Sequence, residues 1–307
     1  MIREKRTFSG PLLEADFYPV FEDGRKMPAR APKTKPSTAE QEKYNHTMAL
    51  KKLIRLINAN FDTTDYFMHP TYEAHLAPQD EKSARRDIVN YMRRVKARRD
   101  KEAIQLEEGL SELKERAEKN PGSKFINNAI KGFESKLAKL RQPLKYAYRI
   151  EKQIYKTGVR KGRVNWHFHL FITGGLSARL LEDMWPKGIR VNCNNYRPDK
   201  FGPGAAASYM CKEAVGAARF SYSRNLEKPV EKVKTGRVSK GFVCKMATQR
   251  VDDREYWKKR YKGYRFVRCY SRYNEYNGHW YVSVVMYRTE DLPPQWDVPD
   301  WITEDGA

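Results

Sequence analysis

Apolar residues recur at helical spacing in three long stretches of the chain. The first stretch follows a capping box, formed either by Ser37 with Glu40 or by Thr38 with Gln41. The second covers residues 79–100, where arginines surround the apolar positions. These arginines are interpreted either as a solvated helix face or as a ridge that faces phosphates.

The third stretch, residues 102–141, predicts a helical hairpin. Asn120-Pro121-Gly122 interrupts its pattern, and Ser123 is placed to cap the second arm. We expect this hairpin to be a structural insertion.

After Pro143 the apolar period changes from that of a helix to that of a strand. Leu144–Tyr155 and Val164–Thr173 are predicted as two strands joined by a basic turn. A short strand is predicted at Tyr66–Leu76 and a further helix at Gly202–Ala218. Near the end of the sequence, Asn277-Gly278 predicts a β-hairpin. Prolines and charges in the first 38 residues predict a loop-rich arm.

The net charge of the chain limits the classes of partner that it is expected to bind. Sixty Lys and Arg against 38 Asp and Glu give a formal net charge of +22, which favours a polyanion such as nucleic acid. An anionic membrane surface is the alternative, but no basic amphipathic helix and no apolar run of about 18 residues is found. The N-terminal residues lack the apolar core of a secretory signal and no C-x-x-C pair occurs, so we expect a cytoplasmic protein without membrane attachment.

Two histidines stand at alternate positions of the second predicted strand. His167 and His169 therefore share one face, roughly 6–7 Å apart at the backbone, where two imidazoles can meet on one divalent ion. The alternative is that both are ordinary polar residues on a sheet surface.

Glu151 on the preceding strand is the candidate third ligand. It shares the face of the histidines if it pairs with either His167 or His169. Glu73 and His75 are alternatives on an earlier strand. Imidazole and carboxylate without thiolate suit Mn²⁺ or Mg²⁺, with Zn²⁺ or another transition ion as a further alternative.

Tyr209 and Lys212 lie three positions apart in the predicted helix and so share a helix face. A tyrosine with an ordinary pKa near 10 needs a nearby cation or metal ion to act as a nucleophile. Tyrosines on helices are common, and a structural role for Tyr209 is the alternative.

The order of these motifs resembles the HUH endonuclease superfamily. Glu151 on one strand is followed by His167-Phe168-His169 on the next and by Tyr209-x-x-Lys212 on a helix, and the stretch from Phe220 to Leu226 is also similar. Within that superfamily the chain resembles the single-tyrosine rolling-circle replication initiators of bacterial plasmids and phages. The resemblance covers roughly residues 60–230.

The resemblance implies an α+β fold with a central antiparallel sheet and flanking helices. It divides the chain into an N-terminal arm and helix (1–60), an endonuclease domain (61–230) with the insertion 102–141, and a basic aromatic extension with a β-hairpin (231–307).

The same resemblance implies the roles of the candidate residues. His167, His169 and Glu151 would bind Mn²⁺ or Mg²⁺, Tyr209 would attack a phosphodiester of single-stranded DNA, and Lys212 would stabilise the phosphate. A 5′-phosphotyrosine and a free 3′-OH would result. The partners implied are single-stranded DNA at a replication-origin hairpin and a host helicase and polymerase, because the chain has no P-loop motif.

Basic residues are expected to contact the DNA. Arg160, Lys161 and Arg163 lie in the turn between the two ligand strands, and Arg224 lies in the stretch after the tyrosine helix. Residues 256–276 interleave cations with aromatic rings, which is typical either of a single-strand binding surface or of a solvated basic face.

Two other functions fit these motifs. One is a mobilisation relaxase or a single-strand transposase, although conjugal relaxases usually carry a third histidine and the common small transposases are much shorter. The other is a basic DNA-binding replication accessory protein without enzymatic activity.

Overall fold

The structure is a computed structural model that describes residues 1–21, 38–155, 157–158, 161–188, 191–198, 206–207, 210 and 220–289. The chain divides into two compact units. The first unit comprises Met1–Ala59, Pro198–Gly204 and Glu227–Ala307, and the second comprises Asn60–Arg197 and Ala205–Leu226. Each unit contains an antiparallel sheet of five strands.

The strands and helices are numbered in chain order. The strands are β1 (Ile2–Ser9), β2 (Leu12–Pro19), β3 (Tyr66–His69), β4 (Tyr146–Ile154), β5 (Val164–Ile172), β6 (Asn192–Asn195), β7 (Ser221–Tyr222), β8 (Val230–Thr235), β9 (Tyr264–Asn274) and β10 (His279–Arg288). The helices are α1 (Ala39–Asn60), α2 (Glu81–Lys119), α3 (Lys124–Arg141), α4 (Ala178–Asp183), α5 (Lys240–Gln249) and α6 (Arg254–Arg260).

The sheet of the first unit has the strand order β8-β1-β2-β10-β9. Alternate residues of β2, among them Leu13, Ala15 and Phe17, point to one face and form a core with α5 and α6. Trp257 of α6 is fully buried in this core. The N- and C-terminal parts of the chain therefore build one sheet together.

Residues 1–21 differ from the loop-rich arm that was predicted, because β1 and β2 form a hairpin from Ile2 to Pro19. The sequence of β1, IREKRTFS, shows no alternation of apolar and polar residues, because charged residues occupy several of its positions. Glu4 is nevertheless buried there, and Arg6 and Arg260 compensate its charge. The pattern of apolar residues alone gives no strand signal at such positions.

The sheet of the second unit has the order β6-β3-β5-β4-β7, so β5 is its central strand. One face of β5 carries Phe168 and Leu170 into the main core, where they join Ile88 and Tyr91 of α2. The opposite face carries His167 and His169. The predicted pair of strands at 144–173 is confirmed as β4 and β5.

Helix α2 runs without a break through the point where two separate helices were predicted. Nothing at residues 100–102 ends a helix, since the sequence there is Asp-Lys-Glu. The predicted turn at Asn120-Pro121-Gly122 is confirmed, and Ser123 caps α3 by accepting a hydrogen bond from the backbone of Ile126. The predicted insertion 102–141 is therefore the second half of α2 together with α3.

The predicted α+β class with antiparallel pairing is confirmed, but the single central sheet is replaced by two sheets. The C-terminal hairpin of β9 and β10 is an integral part of the first sheet, because β10 pairs with β2. No helix in the described part of the chain is long and apolar enough to cross a membrane.

Candidate functional site

The candidate site lies on the face of β5 that points away from α2. Period-two alternation puts His167 and His169 on this face while Phe168 and Leu170 enter the core. His169 is almost completely buried, and His167 is partly exposed. The prediction that both imidazoles share a face is confirmed.

Glu151 joins the two histidines from β4. It pairs with His167 in the antiparallel register, which is one of the two pairings that the sequence allowed. Its carboxylate accepts a hydrogen bond from Nε2 of His169 at 2.7 Å. Because β4 and β5 are joined by a short turn, the position of Glu151 is fixed by local pairing alone.

Both ring nitrogens of His167 are also engaged. Nε2 donates to Oε1 of Gln153, and Nδ1 lies 3.0 Å from the hydroxyl of Thr71. Gln153 follows Glu151 on the same face of β4, and Thr71 forms an isolated β-bridge with His167. The ring of His167 is therefore held from two neighbouring segments.

A third histidine completes the group, and the sequence analysis missed it. His69 ends β3, the strand on the other side of β5, and its ring centroid is 5.1 Å from that of His169. The predicted alternatives on this segment were Glu73 and His75, but the side chain of His75 is 73% exposed and contacts Glu73. The available signal was a histidine at the end of the predicted strand, directly before Pro70, which has no backbone N–H to donate.

The electrostatic environment keeps the three imidazoles neutral. Burial, together with the imidazoles of His169 and His167, lowers the pKa of His69 to about 4. Burial also lowers the pKa values of His167 and His169, although the carboxylate of Glu151 acts in the opposite direction on both. The contact between His169 and Glu151 at pH 7 is therefore a hydrogen bond that a neutral ring donates to the carboxylate.

The side chains of His69, His167, His169 and Glu151 are of the types that bind divalent ions. Neutral imidazole and ionised carboxylate are the forms that coordinate metals. As the described side chains are arranged, however, no three of type His, Cys, Asp or Glu stand close enough to hold a metal ion. Nε2 of His169 donates to Glu151, and Nε2 of His167 donates to Gln153. A metal ion would have to displace these hydrogen bonds.

Tyr209 and Lys212, the predicted nucleophile and its partner, lie outside the described residues. Ala206, Ala207 and Met210 are described, and their backbones are helical. Arg149 of β4, which pairs with His169, donates a hydrogen bond to the carbonyl of Met210. The residue that follows Tyr209 in the sequence is thus tied to the strand position beside His169.

Two further tyrosines bear on the choice of nucleophile. Tyr196 is buried, and its ring centroid is 5.2 Å from that of Phe171, which lies on the histidine face of β5. Tyr222 lies in the edge strand β7 and is exposed. Of the two, Tyr196 is the one that packs against the face of the histidines.

The predicted DNA-binding residues lie at different places around this sheet. Lys161 and Arg163 are exposed in the turn between β4 and β5, which two backbone hydrogen bonds of Tyr155 close. Arg160 lies outside the described residues. Arg224 is exposed after β7, next to the end of β4 that is farther from Glu151.

Comparison with known proteins adds no relative to this description. No protein-family model, no curated protein and no solved structure matches the chain.

Proposed function

We propose that the chain nicks and rejoins single-stranded DNA as a rolling-circle replication initiator. The observation that carries the proposal is the cluster of His167, His169 and Glu151 on one face of the central strand, with Met210 held at the same strand pair through Arg149. Tyr209 precedes Met210 in the sequence, and it is the proposed nucleophile.

The proposed reaction is a transfer of one phosphodiester from DNA to the protein. The phenolate oxygen of Tyr209 attacks phosphorus, the bond from phosphorus to the 3′ oxygen breaks, and the departing oxygen takes a proton to become a 3′-OH. A divalent ion bound by the histidines and Glu151 would polarise the phosphate. Because the 5′-phosphotyrosine keeps the energy of the broken bond, a later 3′-OH can reverse the step and join the strand.

Different residues of the chain would bind the metal ion and the phosphate. His169 would supply a metal donor at a buried position, and Glu151 and His167 would supply donors at partly exposed positions where a phosphate can approach. Lys161 and Arg163 offer exposed cations in the turn that joins the ligand strands. Lys212 is proposed to stabilise the charge on the phosphate.

A mobilisation relaxase is the second candidate. His69 beside His169 favours it, since conjugal relaxases usually carry a third histidine. The two candidates differ in the DNA that they cut, which is a replication origin in one case and a transfer origin in the other.

The test is the formation of a covalent adduct. The protein is incubated with Mn²⁺ and single-stranded oligonucleotides from the replication and transfer origins of its own replicon, and protein–DNA adducts are resolved on denaturing gels. We expect Tyr209→Phe to abolish the adduct and Tyr222→Phe, the control, to retain it. Loss of the adduct in Tyr196→Phe but not in Tyr209→Phe would move the nucleophile to Tyr196.

We expect changes in the histidines to abolish DNA cleavage without weakening DNA binding. The paired change His167→Ala and His169→Ala should abolish the adduct and leave oligonucleotide affinity almost unchanged, because Lys and Arg supply most of the attraction for phosphates. A wild-type protein that binds origin strands but forms no adduct on any of them would favour the non-enzymatic DNA-binding function.

A further inference from the structure

A cleft of about 430 Å³ lies in the first unit and shares no residue with the sheet that carries the histidines. Residues of β1, β8, α5 and α6 line it, together with the loop between β8 and α5. Its charged and aromatic lining residues are Glu4, Arg6, Lys234, Arg237, Phe242 and Arg260.

The inner part of the cleft contains one carboxylate and two guanidinium groups. Glu4, which is 3% exposed, accepts hydrogen bonds from Nε of Arg6 at 2.6 Å and from the hydroxyl of Tyr261 at 3.0 Å. Its second oxygen lies 3.4 Å from Nη2 of Arg260. One carboxylate thus holds two guanidinium groups, which leaves the inner part of the cleft with a net charge of +1.

The outer part of the cleft adds two cations without a carboxylate. Lys234 and Arg237 are exposed, and neither forms an ion pair in the part of the chain that the structure describes. Four cationic side chains against one carboxylate give the cleft a formal charge of +3. A concave surface with this excess attracts an anion more strongly than scattered surface lysines do.

An aromatic ring lies beside these cations. Phe242, near the beginning of α5, is 39% exposed, and the guanidinium of Arg260 lies 5.7 Å from its ring centroid. A ring next to phosphate-binding cations is the combination that accepts a nucleotide, with its base on the ring and its phosphate on the cations.

We infer that this cleft binds a phosphate of single-stranded DNA, with the neighbouring base stacked on Phe242. A single strand fits better than a duplex, because only unpaired bases present a free face to a ring. The charge of +22 on the whole chain is complementary to a long polyanion. The inference deepens the proposed function and rests on it, since that function makes single-stranded DNA the partner.

The test measures binding without metal. Fluorescence anisotropy of a labelled oligonucleotide of about 12 thymidines is recorded with the full chain in EDTA at about 0.1 M salt. The variants are Lys234→Glu with Arg237→Glu, Phe242→Ala, and Phe242→Tyr, which keeps a ring. The control is Lys119→Glu with Lys131→Glu, which changes the net charge equally at exposed positions of α2 and α3.

We expect the charge reversal in the cleft to weaken binding about tenfold or more and Phe242→Ala to weaken it about fivefold or more. Phe242→Tyr and the control pair should each stay within about twofold of the unchanged protein. Circular dichroism and thermal unfolding of each variant verify that the fold is intact.

Two results would overturn the inference. One is an equal loss in the cleft variant and in the control, which would mean that only net charge matters. The other is unchanged binding in Phe242→Ala. Because EDTA removes divalent ions, failure here is distinct from failure of the Tyr209 adduct, and either result can occur without the other.

Discussion

The imidazole rings of His69 and His169 meet edge to face with their centroids 5.1 Å apart, from neighbouring strands of the second unit. Both imidazoles are neutral at pH 7, because burial lowers their pKa values. Neutral imidazoles and a carboxylate at 2.7 Å from one of them are the donor types of the metal site that we propose here.

Replacing His69 tests its part in that site. We expect His69→Ala to weaken Mn²⁺ binding about tenfold or more, as measured by isothermal titration calorimetry, because a donor beside His169 is lost. The matched control is His75→Ala on the segment that follows β3, where the side chain is largely exposed. Equal Mn²⁺ affinity of the two variants would exclude His69 from the site.

The sequence predicted one half of this site and missed the other for a physical reason. Glu151, His167 and His169 belong to two strands joined by a short turn, so alternation and local pairing are enough to bring them to one face. His69 reaches the same place through pairing between β3 and β5, about 100 positions apart, and no local pattern specifies that register.

The first sheet was missed for a related reason. Strand β1 contains charged residues at four successive positions, and its buried Glu4 is compensated by Arg6 two positions away and by Arg260 and Tyr261 from the far end of the chain. Because part of this compensation comes from so far along the chain, the charges of β1 resemble those of a solvent-exposed segment in the sequence. The Asn277-Gly278 hairpin was predictable because its turn signal is local.

Arg149 is expected to act as a positioning residue for the tyrosine segment. Without its hydrogen bond to the carbonyl of Met210, Arg149→Met should slow adduct formation about tenfold or more, since small displacements of a nucleophile are costly. Mn²⁺ affinity should not weaken, which distinguishes loss of positioning from loss of the metal site. Arg149→Lys should restore part of the rate.

The control for Arg149 lies on the same strand. Lys152→Met changes an exposed residue on the opposite face of β4 and should leave the adduct rate unchanged. Equal rates in Arg149→Met and the unchanged protein would show that the contact with Met210 is not needed for the reaction.

Arg99 of α2 is expected to anchor the helical hairpin to the sheet. It is 2% exposed and donates hydrogen bonds to five backbone carbonyls, among them those of Thr173, Lys139 and Gln142. Arg99→Met leaves these buried acceptors without donors, so we expect the free energy of unfolding to fall by about 3 kcal/mol or more. Chemical denaturation measures this loss.

Arg93 provides the comparison for Arg99. It is exposed on the same helix and contacts only the side chain of Asn90 among the described hydrogen bonds. Arg93→Met should change the free energy of unfolding by less than about 0.5 kcal/mol. A similar small effect of Arg99→Met would contradict the anchoring role.

The buried carboxylate of Glu4 predicts a pH dependence of stability. Burial alone would raise the pKa of Glu4, but the hydrogen bond and charge of Arg6, the charge of Arg260 and the hydroxyl of Tyr261 lower it below the ordinary value. A lowered pKa means that this stabilisation is present above about pH 4.5 and is lost as the pH falls through the pKa of the folded state.

Glu4→Gln should therefore destabilise the first unit at neutral pH by about 2 kcal/mol, because two partly buried guanidinium groups lose their buried counter-charge. The difference in unfolding free energy between this variant and the unchanged protein should shrink as the pH is lowered from about 5 to about 3. Thermal unfolding followed across this range measures it. A difference that stays constant with pH would contradict the role of the Glu4 charge.

The pairing of β2 with β10 has a consequence for the order in which the protein is made. Asp16 and Ser283, which are joined by a hydrogen bond between these strands, are 267 positions apart. At ribosomal rates of about 5–20 residues per second, the first hairpin waits on the order of 10–50 s for its partner strand. All of the second unit is synthesised during that interval. The sheet of the first unit can therefore be completed only after the second unit has been made.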